Sequence, residues 1–118
     1  METKEAILHF QQAEKMKSGL IIAMNLLDQL LSLKEPEFSG GKKVLGWYLE
    51  GLLRETRIAE TVLGMGDFVD LEQKVTEVTG RIQMSQFEDA RRPFSEAISL
   101  ATTACQRSLS LLAQKGFI

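Results

Sequence analysis

One cysteine, one histidine, two prolines and 7% aromatic residues are sparse material for chemistry in a chain of 118 residues. A lone cysteine, Cys105, forms no intrachain disulfide, and nothing suggests an oxidising compartment. A lone histidine, His9, cannot supply the two E-x-x-H motifs of a di-iron helical bundle. The formal charge is -2, so no global positive field recruits nucleic acid or anionic lipid. Long apolar runs are missing too. The longest, GLIIAMNLLDQLLSL, is broken by Asn25, Asp28 and Gln29 and is too short to span a bilayer. The opening METKEAILHF lacks the apolar core of a signal peptide. The expectation is a cytoplasmic protein with no membrane contact and no nucleic-acid partner.

What is present is helix-forming. Leu, Ala, Glu, Lys, Gln and Met dominate, and 44% of residues are hydrophobic against 25% charged, a globular balance. Nowhere do apolar and polar residues alternate for long, so no strand is predicted. A first helix runs from Thr3, a candidate cap, to about Lys34. Its stripe is Ala6, Phe10, Ala13, Leu20, Met24, Leu27 and Leu31, with Lys17 filling one gap. Pro36 and Gly40-Gly41 end it. A second helix covers about Lys42 to Leu63 on Leu45, Leu49, Leu52, Thr56, Ala59 and Leu63. Gly64-Met65-Gly66 breaks the chain, and Asp67 is placed to cap a third helix on Phe68, Leu71, Val75, Val78 and Ile82. The last helix begins near Ser85, with Ser85 and Glu88 as a capping box and a kink at Pro93, or begins nearer Arg92. It carries Phe94, Ile98, Ala101, Cys105, Ser108 and Leu112 to Gly116. The fold class is therefore all-α: one domain over 1–118, an up-down-up-down four-helix bundle.

Catalytic patterns fail one by one. Ser39-Gly40-Gly41-Lys42-Lys43 looks like a phosphate loop, but a Walker A motif would need glycine where Pro36 stands and a hydroxyl where Lys43 stands. It reads as a linker with Ser39 as a helix cap. Helical phosphotransfer domains place lysine and glycine three and four residues after the reactive histidine; Gln12 and Ala13 stand there. An R-x4-6-H ribonuclease motif is absent, because no arginine precedes His9. Glu2, Glu5 and His9 share a helix face and could hold a metal only weakly, near a fraying end. No cofactor is expected. Antiparallel pairing of the first and last helices places His9 near Leu109, one turn from Cys105, where a thiol–imidazole pair could form. The basic residues are mixed with carboxylates, and acid-first pairs such as Asp70 with Lys74 and Glu88 with Arg92 describe solvated faces.

Two surfaces carry more apolar area than a monomer uses. On the first helix, Leu20 through Leu33 is apolar on more than one face. On the second, Trp47, Gly51, Arg54 and Ile58 form an extra stripe, and Gly51 makes sense if Trp47 or another backbone lies across it. The sequence thus points away from an enzyme and toward a bundle acting through protein contacts, as a homodimer or with a helical partner. The favoured interface residues are Ile22, Leu26, Leu33, Trp47 and Ile58. The alternative is a small-molecule or metal-binding bundle whose core pocket uses the polar interruptions Lys17, Thr56, Cys105 and Ser108.

Overall fold

The computed structural model describes residues 1–64 and 66–118. Four helices make up the fold: α1 (Thr3–Leu30), α2 (Glu37–Leu63), α3 (Gly66–Gln83) and α4 (Phe87–Gln114). No strand occurs among the described residues. The helices pack in a ring, α1 on α2, α2 on α3, α3 on α4 and α4 on α1, as a four-helix bundle about 53 Å long. Contacts along each neighbouring pair run in opposite order, as antiparallel neighbours require. His9, Glu14 and Asp28 of α1 meet Ser108, Cys105 and Arg91 of α4. Asp67 and Lys74 of α3 meet Arg107 and Glu96 of α4.

The core is built by the expected stripes of α2 and α3, with Leu45, Leu49, Leu52, Ala59, Phe68, Leu71, Val75, Val78 and Ile82 buried. Phe68 and Phe94 are its largest members. In α1 the buried set turns by about one residue: His9, Met16, Ala23 and Leu30 are inside, Phe10 and Met24 are half-buried, and Leu31 is exposed. Leu31 leaves the core because the turned stripe puts Leu30 inside in its place, and α1 stops at Leu30 rather than near Lys34. Small residues on α4, namely Ala97, Ala101, Ala104, Cys105 and Ser108, face the bundle and let the helices approach closely.

Several expected helix ends are corrected. Glu2, not Thr3, is the first cap residue, and no side chain caps α1. The second helix begins at Glu37, five residues before the expected Lys42, with Pro36 at its cap. Proline suits a helix entrance because its missing N–H has no partner to lose there. Ser39 is accordingly inside α2, where its hydroxyl donates to the Glu35 carboxylate (2.6 and 2.8 Å) instead of capping. Gly41 does not break the helix either. A Cβ there would lie 2.9 Å from Leu30 Cδ1, so glycine lets the end of α1 pack against the start of α2. Asp67 sits in the first turn of α3 and turns its carboxylate to His9 and Arg107.

Gly64 closes α2 in the left-handed region, as its sequence position suggests. Ser85 forms no capping box. It adopts φ 58° after α3, where the Ser85 and Gln86 N–H groups return to the carbonyls of Ile82 (3.0 Å) and Arg81 (2.8 Å). That is a Schellman ending with serine in the usual glycine place. The last helix starts at Phe87 and continues through Pro93, so the earlier of its two expected starts holds. Pro93 is buried, and the apolar contacts of α4 offset the hydrogen bond that its ring removes.

Candidate functional site: an apolar face on the first two helices

Exposed large hydrophobic residues are distributed unevenly. Among the described residues, α3 contributes Val69 and α4 contributes Leu109. On α1 and α2 the exposed set includes Ile21, Ile22, Leu26, Val44, Trp47, Ile58 and Val62. The cause lies in the helical repeat. Every third or fourth residue of α2 is apolar on the core side, and a second series, Val44, Trp47, Gly51, Arg54, Ile58 and Val62, follows the same steps on the outer side. Trp47 is 66% exposed and Val62 70%. Trp47 therefore does not serve as an outer wall of the core.

Trp47 stands between two grooves. On one side lies a groove of about 520 Å³ along the α1/α2 crease, with Ile22 and Trp47 as walls and Gly19, Tyr48 and Leu52 among its lining. Gly19 makes this crease tight: a Cβ there would sit 2.5 Å from Leu52 Cδ2. On the other side a groove of about 360 Å³ runs from Ser39, Lys42 and Gly46 to Ile82 and Gln83. Gly51 opens onto the first groove. A Cβ at Gly51 meets nothing within 4 Å, so within this chain neither Trp47 nor another backbone lies across it. Trp47 stands away from the glycine rather than over it.

All five favoured interface residues are on the surface: Ile22, Leu26, Leu33, Trp47 and Ile58 are 39–66% exposed. Ile22 and Trp47 share a groove, and Leu33 lies at the Gly41 corner. Val44 and Val62 extend the stripe at both ends and were missed by sequence reasoning, although the same three-and-four spacing reaches them.

The opposite side of the bundle is charged. Lys74 pairs with Glu96 (3.2 Å) and Glu77 (3.5 Å), Arg92 with Glu96 (3.6 Å), and Arg107 with Asp67 (2.7 Å). The pairings differ from those expected within one helix. Lys74 reaches Glu96 across the α3/α4 crease rather than Asp70, and within α4 Glu88 pairs with Arg91, three residues on, rather than with Arg92. The α1/α2 side carries charge as well: Lys15 and Glu55 pair at 3.1 Å in the groove beside Trp47.

The polar interruptions turn to separate partners. Thr56 is fully buried; its hydroxyl donates to the Leu52 carbonyl at 2.8 Å and lies 3.3 Å from Met16 Sδ. Lys17 is half-buried. Cys105 is 4% exposed and its thiol donates to Glu14 Oε2 at 3.5 Å. Burial, then the Glu14 carboxylate, push that thiol up to about 11, with Lys17 opposing weakly. A nucleophilic thiol requires the opposite shift. Ser108 bonds to His9, so the anticipated thiol–imidazole pair is replaced by a hydroxyl–imidazole pair one turn further along α4.

His9 is fully buried, not partly exposed as an isolated helical histidine would be. Its Nε2–H donates to Asp67 Oδ2 at 3.1 Å, and Nδ1 is bonded to the Ser108 hydroxyl. Ser108 Oγ is also 3.1 Å from the Ala104 carbonyl, and Arg107 Nη1 donates to both Asp67 oxygens at 2.7 Å. Phe68 packs edge-on against the imidazole, with ring centroids 5.2 Å apart. Serine, histidine and carboxylate in series have the order of a nucleophilic triad. Ser108 and His9 are both sealed from solvent, however, so an incoming acyl group has no approach to Oγ. The network instead ties α1, α3 and α4 together at one end of the bundle. It also removes His9 from a surface metal site with Glu2 and Glu5, and no cluster of metal-ligating side chains occurs among the described residues. Asp67, Arg107 and Ser108 were not linked to His9 by sequence reading, although antiparallel pairing came within one residue of Ser108.

No family model matches the chain, and neither the curated proteins nor the solved structures include a significant match. No helix among the described residues is long and apolar enough to cross a membrane.

Proposed function

We propose that the protein is a non-catalytic interaction module that self-associates through the apolar face of α1 and α2. The observation that carries this reading is the outer stripe of α2, with Trp47 at 66% exposure between two grooves and Ile58 half-exposed beyond it. Val44, Trp47, Ile58 and Val62 are all exposed along one side of α2, and the largest apolar patch of a monomer is often a functional one. Tryptophan and arginine, both on this stripe, are the residues that dominate binding energy when a partner desolvates them. The core-pocket alternative gains no comparable support, since Thr56, Cys105 and Ser108 each have a partner of their own.

Light scattering on the chromatographed protein tests the proposal. The native chain is expected to have twice the mass of one chain. Trp47→Ala and Ile58→Asp should each weaken association by at least about 30-fold, the scale of a lost 2 kcal/mol hot spot. Both positions face solvent in the single chain, so helix content should not change. A dimer that tolerates both substitutions would refute this face as the contact.

A further inference from the structure

The outer stripe of α2 is spaced symmetrically about its middle, although the residue types at matching positions differ. Trp47 and Ile58 lie equally far from the point between Leu52 and Leu53, and so do Gly51 and Arg54. Val44 and Val62 match to within one residue. A two-fold contact pairs residue i with j and j with i, so it can use such spacing where the matched residues complement each other, as a long side chain complements a gap. We infer that the occupant of the stripe is a second copy of this chain, its α2 antiparallel to the first, with the two-fold axis between Leu52 and Leu53. The inference rests on the self-association reading and adds the register.

The register fits by size and by charge. Trp47 of each copy meets Ile58 of the other, once on each side of the axis. Near the axis Arg54 crosses Gly51 of the other copy, where a missing Cβ leaves room and nothing of its own chain intrudes within 4 Å. Arg54 makes no ion pair within its own chain among the described residues. Glu50 has one long contact, to Gln83 at 3.5 Å. In the antiparallel register Arg54 faces Glu50 of the other copy, next to that glycine, so two ion pairs close symmetrically over the axis. A parallel pairing would set Arg54 against Arg54 and leave the glycines facing each other. From Val44 to Val62 the seam is about 27 Å long at 1.5 Å per residue, and Ile22, which shares a groove with Trp47, lies beside it.

Disulfide trapping reads this register directly. Val44→Cys and Val62→Cys chains, each also carrying Cys105→Ala, are mixed under reducing conditions and then oxidised, while the mass of the native chain is measured alongside. Both new thiols replace exposed valines. The inference predicts a mixed disulfide between the two variants and no dimeric product from either variant alone, since like positions lie at opposite ends of the seam. A native dimer that gives Val44→Cys self-crosslinks, or no mixed product, overturns the antiparallel register but leaves the α1/α2 reading standing. A native chain that stays monomeric overturns both.

Discussion

At the scale of single residues, the buried polar groups behave as structural fixtures whose properties can be measured. The Cys105 thiol is raised from 9.0 to about 11, chiefly by burial and then by the Glu14 carboxylate. At pH 8 its thiolate fraction should be about 100-fold below that of an ordinary thiol, and alkylation should slow at least as much. Alkylation at the rate of a free cysteine would contradict the burial. The stability consequence has a definite sign. Below pH 9 the thiol is neutral in the folded and unfolded states alike and contributes no pH dependence. Between 9 and 11 the unfolded chain ionises first, so stability should fall as pH rises through that window.

The second residue-scale prediction concerns Ser108. Ser108→Ala leaves Nδ1 of the sealed His9 without its hydroxyl partner, at a cost of about 1–3 kcal/mol. Denaturant unfolding monitored by circular dichroism should show that loss as a lower midpoint with an unchanged slope. A midpoint equal to that of the native chain would mean the hydroxyl is dispensable there.

At the scale of the helix, α2 carries two stripes, one used inside the chain and one not. Gly51 shows the tension between them. In an isolated chain Gly51→Ala should stabilise the fold by about 0.5–1 kcal/mol, because glycine costs a helix that much and the added Cβ has open space. In the proposed antiparallel dimer the same methyl would fill the place where Arg54 of the other copy crosses. The variant should therefore unfold at a higher temperature when dilute and associate more weakly when concentrated. Calorimetry and sedimentation on the same samples separate the two effects; a gain in both would remove Gly51 from the contact.

How much of this was legible follows from which signal each feature depends on. Buried apolar spacing identified the stripes of α2 and α3 directly, since few polar residues interrupt them. The ends of helices were harder to read. Pro36 and Gly40-Gly41 look like one long break, yet proline suits a helix entrance and Gly41 serves a packing contact with Leu30 that no local pattern encodes. His9 was least legible of all. Its partners, Asp67 and Ser108, lie 58 and 99 residues away, and only the packed bundle brings them together. The exposure of Ile22, Leu26, Leu33, Trp47 and Ile58 was legible because excess apolar area on a helix can be counted before the fold is known.

At the scale of the whole molecule, the bundle has two unlike long sides. The α3/α4 crease is laced with ion pairs, of small individual worth but well suited to water. The α1/α2 side presents a tryptophan ridge between two grooves, one of them crossed by the Lys15–Glu55 pair. A core already sealed by Phe68, Phe94 and the leucines gains nothing from that ridge, and the proposed self-association would cover it. The most direct test is native mass spectrometry of the unmodified protein over a concentration series. The account predicts a species of twice the 13.2 kDa chain that gives way to single chains on dilution. A single-chain mass at every concentration would contradict it.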